Sequence, residues 1–201
     1  MPDTGAPWNI PYVAGTDLVA DWPTDSQTLA EAVADGLSAL PVQQVVSTTK
    51  TDTFSEAGLT GGGLTALVTG LTATITPSSA TNKVLVTVSI GTLGNDGASA
   101  GRGTGIVLMR DATQIAVGDT AGNRTPITAA QAIIGTGDFA ALTFSYLDSP
   151  ATTSAVVYGV KLFCNTGAGS FTLYLNRTAS DGNTAGIGRT ASTITVQEIA
   201  A

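Results

Sequence analysis

Acidic side chains are the main candidates for chemistry in this sequence. Asp119, Asp138 and Asp148 carry carboxylates of the type that acts in pairs in glycoside hydrolysis. Each lies at the end of a predicted strand, where a solvated turn residue is the simpler interpretation, and nothing in the sequence places two of them together. Histidine is absent, so Ser-His-Asp and Cys-His catalysis are excluded. We therefore predict no catalytic residue and no enzymatic activity.

Three short segments and one cysteine have residues that bind ions in other proteins. Asn95-Asp96-Gly97 and Asp181-Gly182-Asn183 offer oxygen ligands to calcium, but both lack the EF-hand spacing and are explained better as turns. Gly101-Arg102-Gly103-Thr104-Gly105 has the glycines of a phosphate-binding loop without the Gly-Lys-Ser/Thr that should follow. Cys164 alone cannot close a zinc site, and we expect it to be a small core residue. No metal and no cofactor is expected.

The composition restricts the partners of the chain. Its 201 residues are 43% hydrophobic and only 11% charged, so a core can form while uncharged polar residues supply most of the surface. Such a surface is typical of rigid extracellular or virion structural proteins and favours contacts between subunits. The net charge of −7 leaves no basic footprint for nucleic acid. There is no apolar run of about 18 residues, so no membrane insertion is expected.

The stretch of residues 70–91 determines the predicted fold class. Apolar residues occupy every second position on both sides of a break at Pro77. This pattern predicts a β-hairpin whose turn, residues 78–82, faces solvent or a subunit boundary. One face of the hairpin must be buried against a second sheet. Its members are Leu71, Ala73, Ile75, Val84, Val86, Val88 and Ile90.

The rest of the chain after residue 41 also alternates between strands and turns. Strands are predicted over residues 42–54, 106–109, 114–117, 139–147, 155–163, 170–175 and 192–199. Loops rich in Gly, Thr and Asn separate them, among them residues 56–69, 92–103 and 118–131. Arg110 with Asp111, and Arg177 with Asp181, are predicted to anchor loops. Strands without intervening helices indicate an antiparallel β-sandwich of jelly-roll type.

An extended arm and one short helix precede this domain. Four prolines forbid a long helix in residues 1–23, although this arm holds both tryptophans of the chain. Large apolar groups on a proline-stiffened arm dock on a surface, either of their own domain or of a neighbouring subunit or larger assembly. The residues predicted to dock are Trp8, Ile10, Pro11, Tyr12 and Trp22.

Residues 24–40 are predicted to form the only helix. Thr24 is its predicted cap, with Gln27 three residues later, and Pro41 ends it. The helix is too short to be stable alone in water, so its apolar stripe must pack on its own domain or on its copies around a symmetry axis. The stripe consists of Leu29, Ala30, Val33, Leu37 and Leu40. The chain thus divides into residues 1–41, a docking arm with a short helix, and residues 42–201, a β-sandwich domain.

The order of several motifs resembles the virion fibre and minor tail proteins of tailed bacteriophages. The arm contributes Trp8-Asn9-Ile10-Pro11-Tyr12 and the segment 21–30, which begins Asp21-Trp22-Pro23. The β domain contributes segments 45–54, 71–84, 110–115, 118–119, 147–153, 176–178 and 192–199. The resemblance implies a non-enzymatic homotrimer that is located in the virion, on the tail or the capsid surface. Its N-terminal region would attach to other virion proteins, and its β domain would face outward and contact a host cell-surface glycan. The family has no shared catalytic motif, and no receptor-binding residue is transferred.

A free carbohydrate-binding module is the alternative function. Exposed loops and three tyrosines, Tyr146, Tyr158 and Tyr174, favour it. Sugar binding needs an aromatic platform, whereas these tyrosines lie within predicted strands and can equally belong to the core or to subunit contacts.

Overall fold

The computed structural model describes residues 22–38, 40–97, 103–132, 135–165 and 169–201. In these ranges one helix is followed by strands that pair antiparallel, which confirms the predicted mainly β fold. The elements are α1 (Trp22–Ser38), β1 (Val42–Lys50), β2 (Phe54–Leu59), β3 (Thr72–Ile75), β4 (Lys83–Ile90), β5 (Leu93–Asn95), β6 (Gly103–Arg110), β7 (Thr113–Ile115), β8 (Ala129–Ala132), β9 (Leu142–Asp148), β10 (Val156–Asn165), β11 (Phe171–Leu175) and β12 (Ser192–Ile199).

Two sheets form the sandwich. One has the strand order β1-β12-β4-β9, and the other has the order β3-β10-β6-β7, with β8 also paired to β6. When only the eight strands of these two paths are numbered along the chain, their order is 1-8-3-6 in one sheet and 2-7-4-5 in the other. Such crossing of the chain between two facing sheets is the arrangement of a jelly roll, as predicted.

A smaller third sheet continues the first sheet at one end. Its order, β2-β11-β5, repeats the order β1-β12-β4. The repetition arises because β2 follows β1, β5 follows β4, and β11 precedes β12 along the chain. Each of these three pairs is separated by a break at the same end of the first sheet, where Lys50 lies opposite Ser192. The run predicted as one strand over residues 42–54 is therefore divided between two sheets.

The predicted hairpin of residues 70–91 is wrong. β3 pairs with β10, whereas β4 pairs with β12 and β9, so the two runs lie in opposite sheets. The segment between them is a corner that crosses the sandwich. This corner does not simply face solvent, because Asn82 is buried and donates a hydrogen bond to Glu198. Burial of the apolar face is confirmed, since Val84, Val86 and Val88 are fully buried.

The core lies between the two main sheets. Alternate positions of the central strands β4, β10 and β12 supply much of it, which follows from the period of two in their sequences. Cys164 is fully buried there, as predicted. The largest fully buried side chains are Tyr158, Leu71, Ile75, Ile90, Leu93, Ile106, Leu108, Leu162, Leu173, Leu175 and Ile194.

The helix begins and ends two residues earlier than predicted. It spans Trp22–Ser38, so Thr24 lies inside it and does not cap it. The carbonyl oxygen of Thr24 accepts a hydrogen bond from the Thr28 hydroxyl. The Gln27 side chain donates to Glu31 at 2.8 Å and forms no capping box. The described part of the chain contains no helix long and apolar enough to cross a membrane.

Candidate functional site

The three carboxylates considered for acid–base chemistry occupy different surroundings. Asp119 and Asp138 are exposed, and Asp138 accepts a hydrogen bond from the backbone of Gly135 at 2.6 Å. Asp148, which was predicted as a solvated turn residue, is instead only 4% exposed at the end of β9. It is held by Arg110 and Tyr158, so it has the surroundings of a structural carboxylate.

Asp148 connects the two main sheets. Arg110, at the end of β6, donates from Nη1 to both carboxylate oxygens at 3.0 Å, and the hydroxyl of Tyr158 on β10 donates to Oδ2 at 2.7 Å. Burial, together with the hydrogen bond to this carboxylate, raises the pKa of Tyr158 far above its usual range. The predicted pairing of Arg110 with Asp111 is thus wrong, and the Asp111 carboxylate accepts from the backbone of Val157.

The side-chain oxygens of Asn95, Asp96 and Asp181 in the two candidate calcium clusters bond to groups of the protein itself. Asn95 Oδ1 accepts from the Gly97 backbone at 2.7 Å, and Asp96 accepts from the Thr172 backbone at 2.8 Å. Asp181 lies 3.0 Å from Arg177, as predicted, and 2.6 Å from Arg189. The hydrogen bond from Arg189, with the charges of both arginines, holds the pKa of Asp181 below its usual range. Among the described residues, no group of three or more His, Cys, Asp and Glu side chains is placed to hold a metal ion.

The described glycines of the supposed phosphate loop have a packing role. Gly103 and Gly105 lie inside β6, which pairs with β8. A Cβ atom on Gly103 would stand 2.5 Å from the Gln131 carbonyl oxygen, and one on Gly105 would stand 2.5 Å from that of Ala129. Glycine is needed here because β8 approaches β6 closely.

Glu198 is a buried carboxylate that sequence reasoning missed. Its Oε1 accepts from the backbone and hydroxyl of Ser78 and from Nδ2 of Asn82, and its Oε2 accepts from Nε2 of Gln44, all at 2.6–2.8 Å. Burial alone would raise the pKa of Glu198, but the hydrogen bonds from Gln44, Asn82 and Ser78 lower it to about 2. The sequence did contain a signal for this burial, because Glu198 is in phase with the inward residues Ile194 and Val196. A carboxylate that points inward requires hydrogen-bond partners.

Asn176 closes the junction between the first and third sheets. Its Nδ2 donates to the carbonyl oxygens of Lys50 at 2.8 Å and Asp52 at 3.0 Å. Its Oδ1 accepts from the Ser192 hydroxyl at 2.6 Å, and its backbone N–H donates to Thr92 at 2.9 Å. These contacts reach all three breaks at which strands pass from one sheet to the other. Asn176 and Glu198 therefore hold opposite ends of the first sheet.

The three tyrosines do not form an aromatic platform. Tyr158 is fully buried, and Tyr146 packs against the core. Tyr174 carries the guanidinium of Arg177 over its ring at 4.2 Å. Each ring thus already has a partner within the chain, which removes the main support for the carbohydrate-binding alternative.

The helix leaves large apolar side chains in solvent. Among the described residues, no strand packs extensively against α1. Leu37 is 60% exposed, and Trp22, Val33 and Leu40 are also exposed. Ala30 is exposed and Leu29 is half-buried, so the stripe is present and no described strand of the chain covers it. The arm residues Trp8, Ile10, Pro11 and Tyr12 lie outside the described residues, so their docking stays a prediction.

No protein-family model and no curated protein matches the chain. Among solved structures, it is similar to a mutant VP2 protein of infectious bursal disease virus in derived T=1 particles, with 18% identity over 79% of this chain and a TM-score of 0.37. It is also similar to infectious bursal virus derived T=1 particles, with 18% identity, 79% coverage and a TM-score of 0.38. The structure of infectious bursal disease virus Gx strain is similar as well, with 16% identity over 78% of this chain and a TM-score of 0.38. The chain spans 36% of the length of each of these proteins. Likeness at this level says nothing about the function of this chain.

Proposed function

We propose that the chain is a non-enzymatic structural protein of a tailed-bacteriophage virion, either a minor tail protein or a tail or head fibre. The observation that carries the proposal is the exposed helix between the apolar arm and a complete β domain. Val33 and Leu37 are 42% and 60% exposed, and no described residue of the chain covers them, which supports an interface with another protein at this stripe. The resemblance of the arm and strand motifs to phage fibre and minor tail proteins gives the class of assembly.

The proposed assembly is a homotrimer whose N-terminal region attaches to other virion proteins. In a trimer the apolar side chains of α1 meet around the three-fold axis. The chain enters the sandwich at the start of β1, and the three-stranded sheet lies at the far end of β1. With the arm on the virion, the three-stranded sheet and its loops face outward, where they contact the host surface.

Two measurements test this function. Light scattering on the full chain is expected to give three times the 20.1-kDa chain mass at micromolar concentration. Antibodies raised against the chain are expected to label intact tailed particles at one position. Absence of the protein from purified particles would overturn the virion role, and a stable monomer would overturn the trimer.

Host contact is tested separately on a glycan array with the full chain. Binding to a defined class of cell-surface glycan is the expected result. An array without signal would reject the glycan as the host ligand and leave the structural role in place.

A further inference from the structure

The outer face of the sheet β1-β12-β4-β9, here called the hydroxyl face, is a second surface that no described part of the chain covers. Its side chains stand in register across all four strands and form three rows. One row is aliphatic with a central amide, and two rows are entirely Ser and Thr. In strand order the rows are Val45, Gln197, Leu85 and Leu147; Ser47, Thr195, Thr87 and Ser145; and Thr49, Thr193, Ser89 and Thr143.

The hydroxyl rows are ordered by hydrogen bonds between neighbouring strands. Ser47 pairs with Thr195 at 2.8 Å, and Thr49 pairs with Thr193 at 3.1 Å. Thr87 and Ser145 pair at 3.1 Å on the other side of the sheet. Hydroxyls held in this way lose little further freedom on binding, which lowers the entropic cost of covering them.

The aliphatic row is exposed and lies toward the end of the sheet that the chain enters from the helix. Val45 and Leu147, at its two edges, are 54% and 46% exposed. It lies toward the end of β1 at which the chain arrives from α1, so Leu40 and Val42, both exposed, connect it along the chain to the helix stripe. Exposed apolar residues thus link the helix stripe to the aliphatic row along the chain, and an exposed Lys83 lies on the same side of β4 at this end of the face.

We infer that the hydroxyl face is the contact between copies of this chain in the proposed oligomer. The chain carries a net charge of −7, so two copies repel wherever their charged surfaces meet. None of the side chains in the three rows carries a charge. A hydroxyl is both donor and acceptor, so hydroxyl faces of neighbouring copies that turn toward the three-fold axis can hydrogen-bond to one another, which surfaces of one charge cannot do.

The size of the face also indicates a second copy together with the helix. Four strands about 4.8 Å apart, each with seven to nine residues at about 3.3 Å, present roughly 450–500 Å². A stable interface buries about 800 Å² on each partner. The hydroxyl face supplies about half of that area, and in the proposed oligomer the exposed stripe of α1 adds to it. This assignment rests on the proposed oligomer and specifies which surface forms it.

Sedimentation velocity of the full chain over a concentration series tests the inference. Thr195→Lys places a charge at the centre of the face, and Val45→Lys places one on the aliphatic row. Each is expected to raise the dissociation constant at least tenfold. Thr74→Lys is the matched control, because Thr74 is exposed on β3 in the opposite sheet and the net charge changes by the same amount. It is expected to assemble as the wild type does.

Thermal unfolding monitored by circular dichroism shows whether each variant is folded, and Leu147→Gln is a milder substitution on the same row. A wild-type oligomer that persists in Thr195→Lys, Val45→Lys and Leu147→Gln would overturn this interface and leave the oligomer itself standing. A monomeric wild type would overturn both. If Thr74→Lys weakened assembly of the oligomer as well, net charge and not this face would control assembly.

Discussion

Asn176 is a single side chain that determines how two sheets join. It lies in the left-handed region, with φ of 63°, and its amide serves two carbonyls and one hydroxyl at once. Asparagine tolerates this backbone conformation better than most residues. Its buried hydrogen bonds explain why a polar residue stands at the point where β11 ends.

Asn176→Asp separates the two roles of this residue, which are its left-handed backbone conformation and its side-chain hydrogen bonds. Aspartate keeps the size and the backbone tolerance but replaces both N–H donors by an oxygen that faces carbonyl oxygens. We expect the free energy of unfolding to fall by about 2–4 kcal/mol, because buried polar groups lose their partners. Urea denaturation measures it. The control is Asn183→Asp on an exposed loop, which should change stability by less than about 0.5 kcal/mol. Equal effects at both positions would contradict the assigned role.

Glu198 makes part of the stability dependent on pH. Its pKa is about 2 in the folded chain, below the ordinary value of 4.5. Between these values the unfolded chain binds more protons, so stability rises with pH in this range. The contribution is complete above about pH 5 and is lost as the pH falls through 4.5 toward 2.

Glu198→Gln tests this dependence. At pH 7 we expect the variant to be less stable by about 2–3 kcal/mol, because the glutamine lacks the charge that strengthens the hydrogen bonds from Ser78, Asn82 and Gln44. At pH 3 the difference from the wild type should be clearly smaller. Urea denaturation at both pH values gives the two differences. A difference that is the same at both would show that the carboxylate does not titrate as proposed.

At the scale of elements, the period of two in the sequence predicted correctly which face of a strand is buried, but the strand pairing inferred from it was wrong. It placed Val84, Val86 and Val88 in the core, because which face is buried is a local property of a strand. It joined β3 and β4 into a hairpin, because proximity in sequence was the only information on pairing. The partners β10 and β12 lie far along the chain, and no local pattern encodes those hydrogen bonds.

Loop-like composition also concealed short strands. Residues 92–103 were predicted as an exposed loop on account of their glycines, yet Leu93, Gly94 and Asn95 form the buried strand β5. A side chain at Gly94 would meet the Arg177 carbonyl oxygen at 2.9 Å, so glycine marks close packing there instead of exposure. Of the candidate site, the sequence predicted the helix stripe, whereas the hydroxyl face became visible only with the strand register.

The helix stripe is tested by placing a charge on it. Leu37→Asp is expected to raise the dissociation constant of the oligomer at least tenfold, because it puts an unpaired carboxylate into an apolar contact. Thr28→Asp is the matched control, since it adds the same charge at an exposed position on the opposite side of the helix. Sedimentation velocity should show weakened assembly only for Leu37→Asp. Normal assembly of that variant would exclude the helix from the interface.

At the scale of the molecule, stability and assembly belong to different parts of the chain. The core cluster runs from Leu59 to Val196 and includes no residue of α1. The polar connections made by Asp148, Asn176 and Glu198 also lie within the β domain. The side chains left exposed and apolar are concentrated on α1, on the entry to β1 and on the hydroxyl face. Folding of the domain should therefore not need the helix, whereas assembly should.

A chain that begins at Leu40 tests this separation. Leu40 and Pro41 are retained because Gln43 donates to the Leu40 carbonyl and Ala200 donates to that of Pro41. We expect this chain to unfold cooperatively, with a Tm within about 5 °C of that of the full chain under conditions where both are monomeric, because the core cluster of the described residues lies wholly after Leu40. We also expect it to sediment as a monomer at micromolar concentration, since the hydroxyl face alone offers about half the area of a stable interface. Loss of cooperative unfolding would show that the helix belongs to the domain, and a stable oligomer would show that the hydroxyl face is sufficient without it.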